Sequence, residues 1–334
     1  MVFGLAGALV GVVPGEVSAV AARARCRATA LVANASSGTV STIDVKTRTK
    51  HPTDIPVGLS AGVDPIGVAV TPDGKTAFVT NGTSGTVSTI DLKTRTKHRT
   101  DITVGSLPFG VAVTPDGRTA FVTNNGSGTV STIDVKTRTK HPTDIAVGSF
   151  PKGVAVTPDG KTAFVTNANY DNEPGLHGNS VSTIDVKTRT KHPTDITVGL
   201  QPLRVAITPD SKTAFVTSAP VSTIDVKTRT VNSTDIAVGG GVAVTPDGKT
   251  AFVGAFTGGV STFDVKTRTK HPTDIAVGPN AGAGVAVTPD GKTAFVTDGI
   301  GTVSTIDVKT RTKHPTDIPV GQAPTWVAVT PCRR

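Results

Sequence analysis

Apolar and polar positions along this chain alternate in short runs that never reach helical length. Between Thr86 and Asp91 the residues T-V-S-T-I-D place Val87 and Thr89 on one side and Ser88 and Ile90 on the other, the period of two of a strand in a sheet. Val68–Thr71 is a run of small and β-branched residues, and Thr76–Thr80 is a second such run. The T-P-D-G between them predicts a tight turn: Pro presets φ, Asp bonds back to the backbone and Gly tolerates the exit. N-G-T-S-G supplies the next turn, K-T-R-T-K the third, and Asp101–Val104 is predicted as a fourth strand.

This four-strand unit recurs. S-T-[IF]-D ends at Asp44, Asp91, Asp134, Asp185, Asp225, Asp264 and Asp307, and V-A-[VI]-T-P begins at Val68, Val111, Val154, Val205, Val242, Val285 and Val327. Four antiparallel strands per roughly 40–45 residues, repeated, predict an all-β fold, a seven-bladed β-propeller. The ends of the chain complete the count. The first copy starts at Thr29 without its opening strand, and the last copy, Trp326–Pro331, is that strand alone. The closing blade is therefore expected from residues 28–57 plus 326–331, a closure that leaves no open sheet edge.

Aligned on the repeat, Cys26 and Cys332 both fall at the position of Asp73, inside the turn that joins first and second strands in every other blade. A Cys26–Cys332 disulfide is expected there, fastening the closing blade where no chain crosses. A loop of this length would remove about 5 kcal/mol of unfolded-state entropy. Residues 1–25 form a signal-peptide-like segment, with the apolar run VFGLAGALVGVV followed by small residues and Arg23 and Arg25. No cation precedes that run, which opposes the ordinary export orientation. The paired cysteines point the same way as the segment, toward export to periplasm, cell surface or medium.

The units PFGVAVTPDGRTAFVTN (108–124) and GTVSTID (128–134) resemble the YVTN-family propeller repeat, with Ala-Phe-Val-Thr-Asn in place of the tyrosine form. The resemblance runs from Ala28 to Pro331. It implies a seven-bladed ring of the exported and surface-layer type, within a broader group that includes lactonase-like enzymes and streptogramin lyases. It also implies that first strands line a central channel, that blade-linking loops share one face with the loops between second and third strands, and that T-P-D-G-K and K-T-R-T-K share the other.

Chemistry is sparse on that division. The blade-linking loops are nearly uncharged, with Asp64, Lys152 and Arg204 as exceptions. One loop of blade three is expanded to NANYDNEPGLHGN (167–179), bringing Tyr170, Asp171, Glu173 and His177 together as the candidate ligand-binding residues. Their Asp-x-Glu-x3-His spacing is a weak one for a metal, and a solvated insertion is the plainer reading. The net charge of +9 concentrates in the K-T-R-T-K turns. With no aromatic residues interleaved for base stacking, a solvated turn face is favoured over nucleic acid. The six histidines from His51 to His314 occupy one blade position each and cannot converge on a metal. The recurring Phe78, Phe121, Phe164, Phe215, Phe252 and Phe295 read as packing between blades.

No catalytic residue, metal or cofactor is assigned. The function expected is a non-enzymatic exported scaffold, a monomer once its signal is removed, that binds a protein or envelope ligand through a propeller face. The alternative is a lactonase-like hydrolase or lyase with its site at the channel mouth. That site would use the blade-three loop and draw on Asp64, Lys152, Arg204 and Asp298.

Overall fold

The computed structural model describes residues 28–58, 64–168, 179–233, 239–255, 258–278 and 282–331. They form seven antiparallel sheets, the blades, and within them no helix is long and apolar enough to cross a membrane. Blades one to six open with Pro65–Val70, Pro108–Val113, Pro151–Val156, Leu200–Ile207, Val242–Val244 and Val285–Val287. Blade seven joins the two ends of the chain: Pro324–Val329 pairs antiparallel with Thr29–Asn34, Leu31 opposite Ala328. The first strand of each blade neighbours that of the next, and the last returns to the first, so the ring is closed. Cys26 and Cys332 lie outside the described residues.

The ring is held together from its interior. Phe121 of blade two is fully buried and packs with Val154, Val165 and Ile184 of blade three. Phe78, Phe164, Phe215, Phe252 and Phe295 do the same at the other interfaces, while Leu31 fills the position in blade seven. Burying each such side chain contributes about 1.5–3 kcal/mol. Nearer the channel, a buried threonine bridges adjacent blades. Thr123 Oγ1 accepts from Gly110 N–H (2.8 Å) in its own blade and donates to Lys152 O (2.7 Å) in the next. Thr80 repeats the pattern with Gly67 and Phe109.

The turns form as their residues dictate. In T-P-D-G, Asp73 Oδ1 accepts from Thr71 Oγ1 (2.6 Å) and Lys75 N–H (3.0 Å), while Gly74 sits at φ 66°. After each S-T-[IF]-D the carboxylate receives the turn: Asp134 Oδ1 accepts Thr137 N–H (2.7 Å) and Thr137 Oγ1 (2.8 Å).

Two boundaries differ from expectation. First strands such as Pro65–Val70 begin three residues earlier than the apolar run and shift register between Pro65 and Val68. The fourth strand is not the single segment Asp101–Val104. Thr96–Lys97 and Ile102–Thr103 each pair with Thr86–Asp91, separated by a small excursion. The excursion is anchored at Asp101, which accepts from Ser88 Oγ (2.8 Å) and pairs with Lys97 Nζ (2.8 Å). In five of the other blades a proline stands in it (Pro52, Pro142, Pro193, Pro272 and Pro315), and a residue without N–H cannot continue the ladder.

Candidate functional site at the channel mouth

Hydrogen bonds sort the loops onto two faces. Gly126 N–H donates to Ser106 O (3.0 Å) and Thr83 Oγ1 to Asp64 Oδ2 (3.1 Å), tying blade-linking loops to the loops after second strands. On the opposite face Leu92 N–H reaches Lys75 O (2.8 Å) and Val135 N–H reaches Arg118 O (2.9 Å), tying K-T-R-T-K to T-P-D-G-K.

The turn face closes on itself. The second lysine of K-T-R-T-K meets a carboxylate of its own blade, as Lys140 meets Asp144 (2.8 Å) and Lys191 meets Asp195 (2.7 Å). Its arginines reach the neighbouring blade: Arg95 Nη2 donates to Thr53 O (2.7 Å), and Arg138 Nη1 lies 3.1 Å from His98 Nε2. Burial and the Arg138 charge together hold the His98 imidazole below its ordinary value. The six repeat histidines stand here, one per blade, and among the described residues no group of three or more His, Cys, Asp or Glu could hold a metal ion.

The mouth is different. The residue just before each V-A-[VI]-T-P is Gly67, Gly110, Gly153, Gly241 and Gly284 in five blades, but Arg204 in blade four and Trp326 in blade seven. Glycine is required where first strands crowd together: a Cβ on Gly110 would lie 2.4 Å from Lys152 O, and one on Gly67 2.5 Å from Phe109 O. The two exceptions use the centre of the ring instead. Blades four and seven face each other across it, and the Arg204 guanidinium lies over the Trp326 ring, 3.8 Å from its centroid. The same guanidinium is 4.8 Å from the Phe109 centroid, and Lys152 Nζ is 5.7 Å from that ring.

A cavity of about 710 Å³ opens beside this stack, lined by Asp64, Ile66, Phe109, Lys152, Leu203 and Arg204 among others. Both cations are deeply buried, at 7% exposure each. Burial pushes the Lys152 ammonium down to about 8, helped by the Arg204 charge, and burial alone pushes Arg204 down to about 9. Arg204 Nη1 is buried and makes no hydrogen bond. Thr123 and Thr217 fix the backbones that carry these side chains: Thr123 Oγ1 donates to Lys152 O, and Thr217 Oγ1 accepts from Arg204 N–H (3.0 Å). One guanidinium and one ammonium group among aromatic and aliphatic walls can hold an anion.

Of the residues expected as polar groups at the mouth, Asp64, Lys152 and Arg204 do converge. Asp298 does not serve there. Its Oδ1 accepts the N–H groups of Ile300, Gly301 and Thr302, and its Oδ2 accepts Thr302 Oγ1, so it caps a turn of blade six. The candidates Tyr170, Asp171, Glu173 and His177 lie outside the described residues. Phe109 and Trp326 went unnoticed as site residues. The signal was present in the repeat itself, at the column where Gly gives way to Arg204 and Trp326.

No protein-family model matches the chain, and no curated protein matches it. Among solved structures it is similar to the hydrazine synthase of Kuenenia stuttgartiensis, with 24% identity over 78% of this chain and 88% of that one, TM-score 0.67. A functionally unknown protein from Desulfotomaculum acetoxidans gives TM-score 0.74 at 16% identity, over 91% and 99% of the two chains. A protein from Bacteroides uniformis, named provisionally as a 6-phosphogluconolactonase, gives TM-score 0.69 at 16% identity, also over 91% and 99%. At such identities the likeness is one of fold, and function must be argued from the site.

Proposed function

We propose that this protein is an exported, non-enzymatic binding propeller of the YVTN-repeat type that takes a protein or cell-envelope ligand at the channel mouth. The observation that carries the reading is the break in the glycine column, where Arg204 and Trp326 meet across the ring beside a cavity of about 710 Å³. A cavity of that size is within the range of small-ligand sites. Large apolar side chains surround the same face: Leu107, Leu200 and Ile300 are each more than half exposed.

The alternative, a lactonase-like hydrolase or lyase at the same mouth, draws on the fold likeness to the Bacteroides uniformis protein. Hydrolysis there needs a base to activate water, and Asp64 is the carboxylate that the described lining supplies. A panel of γ- and δ-lactones separates the two. The binding reading expects hydrolysis by the full chain at the uncatalysed rate. Turnover by the wild type that Asp64→Asn or Lys152→Met removes would establish the enzyme instead.

A further inference from the structure

Resting on the reading of the channel mouth as a binding site, we propose that the part of its ligand the mouth receives is a singly charged carboxylate on an apolar body. Arg204 provides the first argument. It is 93% buried by the measure of its 7% exposure, and its Nη1 makes no hydrogen bond. An unpaired buried donor on a charged group has lost its hydration without a replacement, and an anion within reach restores a partner.

The stack supplies the second argument. Trp326 and Phe109 lie against the guanidinium, their centroids 3.8 and 4.8 Å from its carbon, while Nη1 is left without a hydrogen bond, a donor that remains for an acceptor. A carboxylate oxygen matches that charged donor. The walls set the rest of the molecule: Ile66, Phe109, Leu203 and Ala283 are apolar, so the body of the ligand is apolar too.

Charge decides between a monoanion and a dianion. The described lining carries Lys152 and Arg204 against Asp64, two positive charges and one negative, a balance of one. A singly charged carboxylate suits that lining better than a phosphate monoester, whose second negative charge would sit beside Asp64.

Trp326 is the only tryptophan of the chain, so its emission reports on this site. The experiment titrates the full chain with phenylacetate, its neutral isostere phenylacetamide, inorganic phosphate and 6-phosphogluconate. Phenylacetate is expected to change the Trp326 emission saturably, and the amide to need roughly tenfold higher concentration or more. Arg204→Gln and Lys152→Gln are each expected to weaken phenylacetate by roughly tenfold. Lys152→Gln leaves the Arg204–Trp326 stack in place and serves if Arg204→Gln does not fold.

Equal response to acid and amide overturns the anion while leaving the mouth a binding site. Tighter binding of phosphate or 6-phosphogluconate overturns the carboxylate. No saturable change with any probe overturns the inference altogether. Lactone turnover, by contrast, removes the non-enzymatic reading and leaves the carboxylate preference standing.

Discussion

The two ends of this ring are built from the same repeat and have opposite characters. On the turn face the repeated groups meet partners within the blade or the next: Asp134 receives its turn, Lys140 meets Asp144, and Arg95 reaches Thr53, although Arg229 Nη1 is buried without a hydrogen bond. At the mouth, Arg204 keeps a buried Nη1 without a hydrogen bond and leans on Trp326 and Phe109. A position that repeats around the ring is solving a problem every blade shares, namely closing a turn or packing on a neighbour. A position where one blade departs from the rest serves something that happens once, at the centre. On the basic face the second lysine of the turn is paired in six blades, with Asp54, Asp101, Asp144, Asp195, Asp274 and Asp317.

The sharpest way to break this contrast is acid. Backbone N–H groups in the turns hold Asp91, Asp134, Asp185, Asp225, Asp264 and Asp307 below their ordinary value, each helped by the following threonine hydroxyl. Folded values below unfolded ones mean that the unfolded chain binds more protons near pH 4. The stabilisation is present above the unfolded value of about 3.9 and is lost as pH falls through it toward the folded one. The melting temperature is therefore expected to hold steady from neutrality to about pH 5 and to drop steeply below 4. A melting temperature unchanged at pH 3 would show that these turns contribute nothing.

A smaller effect is expected from one turn alone. Asp134→Ala removes the acceptor for Thr137 N–H and Thr137 Oγ1 and should cost about 1 kcal/mol in urea unfolding. A loss in the same direction is expected at Asp185, Asp225 and Asp307, whose turns have the same geometry. The smallest effect on stability belongs to the mouth. Arg204→Gly gives blade four the residue found in five other blades, and removes a buried charge whose own hydration was forfeited. Unfolding free energy is expected within about 1 kcal/mol of the wild type. A loss of several kcal/mol would make Arg204 a structural tie across the ring, not a group kept for a ligand.

Much of the molecule was legible from the residues. The period-two strands, the T-P-D-G and S-T-I-D turns, the phenylalanines between blades and the closing of blade seven by residues from both ends all follow from local rules repeated seven times. The split fourth strand was less legible, because Asp101 is held by Ser88 and Lys97 only once three strands are side by side. Asp298 was misread for a similar reason: its carboxylate looks free in the sequence and is consumed by the turn it begins.

By itself, then, the sequence determined the ring, its seven units and the partition of charge between them, since each depends on contacts within a repeat or with the next. What only the tertiary structure decided is the meeting of Phe109, Lys152, Arg204 and Trp326, from blades two, three, four and seven. Arg204 and Trp326 lie 122 residues apart, and no local rule pairs them. Closure of the toroid does, because every first strand points its distinctive side chain at one shared axis.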